Sequence, residues 1–233
     1  MALKDLPAAD EKHRAVREMF DRIAPRYDLL NRILSVGMDQ RWRERALDLA
    51  QIAPGDLVID LACGTGDMAE GAARRGARVM GTDFALGMLA HAGQRQIPAT
   101  FVAADAAALP LANASVQVIT CGFALRNFVS LPHVFAEIAR VLEPKGRFVL
   151  IDVDRPAQSW LRKLHSLHFD RLVPLIGGLI SDRKAYRYLP ASTAYLPPED
   201  EMLALLRASG LERVEKQRLL LGSAQILHGV RAE

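Results

Sequence analysis

A glycine-rich turn with acidic residues on both sides is the part of the sequence best suited to chemistry. The apolar pair Val58-Ile59 leads into Asp60, and Gly64-Thr65-Gly66-Asp67 follows after three further residues. Glycine at positions 64 and 66 lets the backbone turn sharply and lets a ligand approach it, because neither residue has a Cβ atom. The pattern predicts a strand that feeds a nucleoside-binding loop, and it predicts Asp67 in the first turn of the next helix. Asp60, Gly64 and Gly66 are therefore predicted cofactor-binding residues.

Two more acidic residues follow apolar runs further along the chain. Asp83 ends the run at residues 77–82, and Asp105 follows the run at residues 100–104. An acid at the end of the second strand is suited to bind the two hydroxyls of a ribose. Because the carboxyl ends of parallel strands meet at one edge of a sheet, Asp60, Asp83 and Asp105 are predicted to share a ligand-binding rim.

Two classes of cofactor compete for this loop. Residues 64–69 also match the loose G-x-G-x-x-G/A pattern of dinucleotide binders, which alone is weak support. A pyrophosphate prefers a helix N-terminus without negative charge, whereas Asp60 and Asp67 flank the glycines here. S-adenosylmethionine has no phosphate, and its ammonium and sulfonium groups are attracted to acids. The sequence therefore favours S-adenosylmethionine over NAD as the cofactor.

The elements that must position these residues alternate between helix-like and strand-like periods from residue 57 to residue 153. Strands are predicted at residues 57–61, 78–82, 100–103, 116–121, 147–153, 211–219 and 224–231. Helices are predicted at residues 67–75, 85–93, 130–142 and 198–209. The predicted fold class is α/β: a Rossmann-like, mostly parallel seven-stranded sheet with helices on both faces.

The chain of 233 residues is predicted to be a single domain, since α/β folds of this size commonly share one core. Within it we distinguish a helical cap at residues 11–50, a cofactor-binding core at 57–153, a helical lid insertion at 156–190, and a C-terminal helix with closing strands at 191–233.

The composition of the chain limits the expected cellular location of the protein and its expected binding partners. Two cysteines, Cys63 and Cys121, provide no disulfide framework, and Cys63 is interpreted as a small loop filler. There is no signal-peptide pattern and no apolar run near the ~20 residues of a membrane span, so the expected location is cytoplasmic, with any membrane contact peripheral at the inner face. The net charge of +3, without a basic and aromatic cluster, argues against nucleic acid. No metal site is predicted, and a homo-oligomer is left open.

Two segments outside the alternating core are expected to serve the substrate. Between positions 11 and 45 the cap has nine Lys or Arg against six Asp or Glu. For the cap, a solvated helix face is the favoured interpretation, and contact with an anionic membrane is the alternative.

The predicted lid has apolar residues at steps of three and four along the chain. This spacing predicts an amphipathic helix that either forms an apolar channel or packs on the core. Its His165 and His168 are only reserve candidates for a base.

Several short motifs occur in an order that resembles one family. They are residues 20–28 with Arg26-Tyr27-Asp28, Asn31, Trp42, residues 60–67, residues 108–111, residues 123–127 with Leu125-Arg126-Asn127, and residues 186–192 with Tyr186-Arg187-Tyr188-Leu189. Together they resemble the ubiquinone/menaquinone biosynthesis C-methyltransferases, a class I S-adenosylmethionine-dependent family. The resemblance runs from about Phe20 to the C-terminus.

The resemblance implies methyl transfer to a ring carbon of a polyprenylated hydroquinone, with demethylmenaquinol favoured and a benzoquinol precursor of ubiquinone as the alternative. Cofactor contacts of the family carry over to Thr65, Asp83 and the pair Asp105-Ala106. A further contact, usually a serine, falls on Gly122, so this one lacks its hydroxyl. Residues 152–156 read Asp-Val-Asp-Arg-Pro where the family commonly has Glu-Phe-Ser-Lys-Pro, which adds an acid near the expected substrate mouth.

Carbon methylation needs a stabilised phenolate and an aligned methyl group, which suggests roles for the motif residues. Arg126 is expected to stabilise a phenolate or orient a water, and Asn127 to hydrogen-bond a quinol oxygen. Tyr27 is expected against the ring from the cap, and Tyr186 and Tyr188 from the lid side, with plain packing as the alternative for each tyrosine. Two rival functions remain: a non-catalytic adenosylmethionine-binding protein, and a methyltransferase for a small soluble phenol or nucleic acid.

Overall fold

The computed structural model describes residues 9–154, 185, 188 and 191–233. Its strands are β1 (Leu57–Leu61), β2 (Arg78–Asp83), β3 (Ala99–Ala103), β4 (Val116–Gly122), β5 (Leu142–Val153), β6 (Leu211–Leu219) and β7 (Ala224–Arg231). Within the described residues these form one seven-stranded sheet in the order β3-β2-β1-β4-β5-β7-β6. The first five strands in that order are parallel, and β7 runs antiparallel to both of its neighbours. The predicted fold class is confirmed.

The helices pack around this sheet. They are α1 (Ala9–Ile23), α2 (Tyr27–Ser35), α3 (Met38–Leu49), α4 (Asp67–Arg74), α5 (Leu86–Gln94), α6 (Leu131–Val141) and α7 (Glu199–Ala208). The first three helices, between residues 9 and 49, are called the cap below. In α1 the apolar residues Val16, Met19, Phe20 and Ile23 recur at helical spacing, and the last three belong to the cluster through which α1 packs against α5.

Alternation along the central strands produces a core on each face of the sheet. Val58 and Val118 face α3 and α4, whereas the next residues along the strands, Ile59 and Ile119, face α6 and α7. All four side chains are fully buried. Parallel strands covered by helices on both faces are expected to be this uniformly apolar. The sheet is therefore a rigid platform for whatever its carboxyl edge carries.

Capping residues and hydrophobic periodicity predicted most ends of the helices and strands correctly. Helix α4 begins at Asp67 as predicted, and the hydroxyl of Ser130 accepts the N–H of His133 at 3.5 Å as the predicted N-cap of α6. The main difference is β5, which begins at Leu142 instead of residue 147. Its pairing with β4 shifts register there, and Lys145 adopts a left-handed φ of 64°, so the strand contains an irregularity near its start.

The division into four segments stays a prediction, and most of the predicted lid lies outside the described residues. Of that insertion the structure describes Ala185 and Tyr188, so Tyr186, His165 and His168 are not among the residues it describes. In the ranges that it does describe, no helix has the length and hydropathy needed to cross a bilayer.

The core on the α6 side provides a stability test. Phe135 is completely buried there, so Phe135→Ala should lower the free energy of unfolding by about 3–5 kcal/mol because a large cavity remains. Ala136→Ser, on the exposed face of the same helix, should change it by no more than about 0.5 kcal/mol. Urea denaturation measures both, and a loss below about 1 kcal/mol for Phe135→Ala would contradict the packing described.

Candidate active site

A cavity opens at the carboxyl edge of the sheet, between the strand ends and the cap. Its walls come from α1, the start of α2, the loop after β1, the ends of β2, β3 and β4, and the turn before α6. Eight predicted site residues line it: Tyr27, Gly64, Thr65, Asp83, Asp105, Ala106, Gly122 and Asn127. Asp60, Gly66, Arg126 and Tyr188 do not line it, and each has another place that is given below.

The two glycines of the loop, Gly64 and Gly66, differ in the space that surrounds them. Gly64 has a φ of 55°, and a Cβ there would meet nothing within 4 Å, so its backbone is open to the cavity. Gly66 has a φ of 93°, and a Cβ there would lie 2.7 Å from the side chain of Ile97. The left-handed φ favours glycine at both positions; a Cβ at Gly66 would also require Ile97 to shift, whereas Gly64 leaves room for a ligand.

Asp83 stands at the end of β2 with its carboxylate beside the loop. Its Oδ2 accepts the N–H of Gly64 at 2.8 Å, and its Oδ1 accepts the N–H of Ala85 at 2.8 Å. Burial raises the pKa of Asp83 to about 6, although these backbone hydrogen bonds act in the opposite direction. The side chain is thus fixed in orientation at the cavity wall where the sequence predicted a ribose contact.

Asp60 lies beneath the loop. It is 1% exposed, its Oδ2 accepts the N–H of Ala69 at 2.9 Å, and its Oδ1 accepts the hydroxyl of Thr120 at 2.9 Å. Burial raises its pKa to about 7. These contacts tie β1 to α4 and β4, so the structure gives Asp60 a supporting position under the residues that face the cavity.

Asp67 is the centre of a buried ion-pair cluster. Its Oδ1 accepts Nη1 of Arg95 at 2.8 Å, its Oδ2 accepts Nε2 of Gln40 at 3.0 Å, and Nη2 of Arg32 lies 3.3 Å from Oδ1. Nε of Arg43 lies 3.5 Å from Oδ2. Burial alone would raise the pKa of Asp67, but these arginines and Gln40 together lower it to about 2. The negative charge of Asp67 next to the glycine loop is therefore balanced by arginines.

On the far wall Arg126 and Asn127 form a short 3₁₀ turn after β4. Arg126 is 5% exposed, and its Nη1 donates to the carboxylate of Asp152 and, at 2.8 Å, to the carbonyl of Phe123. Within the part of the chain that the structure describes, its Nε has no hydrogen-bond partner. Asn127 lines the cavity and accepts the hydroxyl of Tyr188 at 3.3 Å.

Asp154, the acid that departs from the family pattern, pairs with Lys216 at 2.8 Å.

Sequence reasoning missed several residues of the cavity. The rings of His13 and Phe84 lie 4.9 Å apart between centroids, and Nε2 of His13 is 3.4 Å from Oδ2 of Asp105. Phe84 follows the predicted ribose acid directly, so its position was a usable signal. Other lining residues that we did not predict include Phe20, Arg43, Met88, Phe123, Phe128 and His133. The cap residues among them had no local signal, since they reach the site only through tertiary packing.

Together these features define a class I methyltransferase, the fold class that uses S-adenosylmethionine. Solved structures share this fold: magnesium protoporphyrin IX methyltransferase from Synechocystis with bound S-adenosylhomocysteine has a TM-score of 0.63 at 22% identity, covering 94% of this chain and 99% of that chain. The [4+2]-cyclase SpnF has a TM-score of 0.66 at 17% identity, covering 93% and 95%. The fold alone therefore does not decide the reaction.

Sequence similarity identifies the family. The profile of the ubiE/COQ5 methyltransferase family matches residues 8–231, and the chain belongs to this family. The demethylmenaquinone methyltransferase of Thermus thermophilus is 42% identical, over 91% of this chain and 100% of that protein. That of Deinococcus radiodurans is 40% identical over 92% and 91%. The ubiquinone/menaquinone biosynthesis C-methyltransferase of Syntrophotalea carbinolica is 38% identical over 93% and 94%.

The raised pKa of Asp60 predicts a pH dependence of stability. Between its usual value near 3.8 and its folded value of about 7, the folded state holds a proton that the unfolded state releases, so this acid lowers stability as the pH rises through that window. Asp60→Asn removes the ionisation, and the amide can still accept from Ala69 and donate to Thr120. The variant should be more stable than wild type at pH 8, by on the order of 2–4 kcal/mol, and this advantage should vanish near pH 4.

Thermal or urea unfolding of both proteins between pH 4 and pH 8 measures this difference. Asp105→Asn, which removes an exposed carboxyl at the same edge of the sheet, is the control and should give no comparable gain. An Asp60→Asn protein that is less stable than wild type at pH 8 would show that the carboxylate itself is needed under the loop.

Proposed function

We propose that this enzyme methylates a ring carbon of a polyprenylated hydroquinone with S-adenosylmethionine, and that demethylmenaquinol is its substrate. The observation that carries the proposal is a single cavity with two unlike walls. One wall has the open loop at Gly64 and the carboxylate of Asp83, and the other has Asn127 among the aromatic residues Phe123 and Phe128. The curated names of the relatives that are 40% and 42% identical support the choice of demethylmenaquinol.

The first wall fits the cofactor. The fixed carboxylate of Asp83 suits two ribose hydroxyls, and the open backbone at Gly64 leaves space beside it. Phe84 offers a ring face for an adenine, next to the exposed carboxyl of Asp105 and the buried Ala106. When bound, S-adenosylmethionine supplies an electrophilic methyl group on a sulfonium.

The second wall fits the substrate ring. Because Oδ1 of Asn127 accepts the hydroxyl of Tyr188, its Nδ2 is left to donate to a quinol oxygen. Such a donor stabilises the developing phenolate and fixes which ring carbon faces the methyl group. Tyr27, at the start of α2, borders the same space from the cap, and burial raises the pKa of its hydroxyl, so it would act as a neutral hydrogen-bonding and packing group.

Arg126 has a less direct role in this proposal. Its charge is balanced by Asp152, so it does not act as a free cation toward the substrate. Its backbone N–H also donates to Asp152 at 3.2 Å, which fixes the turn that presents Asn127. The roles expected of Arg126 from the sequence, stabilising a phenolate or orienting a water, stay predictions. A substrate contact by Tyr186 stays a prediction.

The enzyme is also proposed to be a cytoplasmic protein that touches the inner face of the membrane, where a prenylated quinol resides. The large apolar side chains that are exposed within the described residues lie on the cap or at the carboxyl edge of the sheet, the edge at which the cavity opens. They are Leu29, Ile33, Val36, Leu86, Val129, Leu220 and Leu221. An apolar rim of this kind is typical of an interfacial surface. It also disfavours a small soluble phenol as the substrate; a homo-oligomer stays a prediction.

Substrate choice and the role of Asn127 can be tested together. Transfer of labelled methyl groups to demethylmenaquinol should exceed transfer to the ubiquinol precursor and to an unprenylated phenol. Asn127→Ala should lower kcat by about 10²-fold through loss of phenolate stabilisation, with little change in cofactor affinity. Asn113→Ala, an exposed asparagine bonded to Arg140, is the matched control and should keep wild-type activity. Cofactor binding without transfer to either quinol would refute the proposal.

The membrane contact has its own test. Leu29→Gln combined with Ile33→Gln should weaken binding to vesicles of phosphatidylcholine and anionic phosphatidylglycerol by roughly tenfold, because two exposed apolar groups no longer enter the interface. Ala53→Gln, exposed at the opposite edge of the sheet, should bind as wild type does. Sedimentation with vesicles measures this, and equal binding by all three proteins would exclude the proposed surface.

A further inference from the structure

Arg43, in the first half of α3, is a buried cation with one buried N–H donor that no described residue accepts. It is 7% exposed, and it lines the cavity. Among the described residues its Nε has no hydrogen-bond acceptor, and it lies at ion-pair distance from two acids, 3.5 Å from Asp67 and 4.0 Å from Asp39. A buried guanidinium with an unsatisfied donor is costly, so its position beside a cavity points to a ligand.

Asp67 pairs with this arginine by charge but does not accept a hydrogen bond from it. Both oxygens of that carboxylate already accept hydrogen bonds from other residues, namely Nη1 of Arg95 at 2.8 Å and Nε2 of Gln40 at 3.0 Å. Arg32 adds a third contact at 3.3 Å. Arg43 therefore contributes charge to the cluster without donating a hydrogen bond to Asp67, and its side chain also borders the cavity.

Gly122, at the end of β4, provides the space that the guanidinium occupies. A Cβ at this position would lie 2.5 Å from Nη1 of Arg43 and 3.2 Å from Cγ of Met68. This is the position at which the family commonly has a serine that contacts the cofactor. In this chain Gly122 has no such hydroxyl, and the guanidinium of Arg43 lies against the backbone of Gly122 instead. The ring of Phe123, with its centroid 4.9 Å from Cζ, holds the guanidinium by a cation–π contact.

The order of the strands tells which part of a ligand Arg43 would meet. In the proposed function the base lies near the end of β3 and the ribose at the end of β2. Strand β1 and then β4 follow in the sheet, so the remainder of the ligand extends over the loop after β1 toward Gly122. For S-adenosylmethionine that remainder is the amino-acid end, which carries a carboxylate.

We propose that Arg43 binds the carboxylate of the amino-acid end of S-adenosylmethionine, and that Gly122 is required because it leaves room for this contact. The inference rests on the cofactor of the proposed function. A planar guanidinium fork matches a carboxylate with two parallel hydrogen bonds. Repulsion from the nearby Asp67 is offset by Arg32 and Arg95, which already pair with that acid.

The test compares the affinity of two probes, S-adenosylmethionine and decarboxylated S-adenosylmethionine, by titration calorimetry. The second probe keeps the adenosine, the sulfonium and the amine but lacks the carboxylate. Wild type should bind the first about 10- to 100-fold more tightly. Arg43→Gln should lose most of this preference by weakening only the intact cofactor, and Arg43→Lys should retain part of it. Gly122→Ser should also reduce the preference, because the new side chain displaces the guanidinium.

Arg45→Gln is the matched control, since Arg45 lies on the same helix with its side chain exposed and bonded to Gln217. It should keep the full preference. Unchanged binding of the decarboxylated probe shows that an Arg43 variant is folded. If Arg43→Gln weakens both probes equally, or neither, the inference is wrong while the cofactor assignment stands. If wild type binds neither probe, the cofactor of the proposed function is wrong and the inference falls with it.

Discussion

The architecture of the site depends on one buried carboxylate. Asp67, at the first residue of α4, is paired with Arg32 and Arg43 from the cap and with Arg95 at the end of α5. A buried charge is stable only when it is paired and hydrogen-bonded, so these contacts are satisfied only when the cap is seated on the carboxyl edge of the sheet. The same contact that neutralises the acid therefore closes the roof of the cavity.

A second attachment holds the other end of the cap. Nζ of Lys12 donates to the carbonyl of Phe128 at 2.6 Å and lies 3.6 Å from the ring centroid of Tyr195. Burial lowers the pKa of this lysine to about 8. Because Phe128 directly follows the turn that presents Asn127, α1 is linked to the substrate wall, just as α2 and α3 are linked to the cofactor wall. The cap thus connects the two halves of the cavity.

Three aspartates near the loop show how surroundings give one residue type different properties. Burial raises the pKa of Asp60 to about 7 and that of Asp83 to about 6, since their partners are a hydroxyl and backbone amides. Asp67, surrounded by guanidinium groups, has a pKa of about 2. The cavity consequently has an acid at one end and, through Arg43, a cation at the other, which is the charge pattern of a ligand with hydroxyls and a carboxylate.

The sequence by itself determined the features that depend on local backbone chemistry: the seven strands, the glycine loop, the N-terminus of α4 at Asp67 and the N-cap Ser130. Periodicity and capping act over a few residues, so they can be recognised without knowing the fold. Only the tertiary structure decided that Asp60 lies under the loop, that Arg126 pairs with Asp152, and that Arg43 reaches the cavity beside Gly122. These contacts join residues from 9 to 79 positions apart in the chain, and such partners are chosen by how the helices pack on the sheet, not by local sequence.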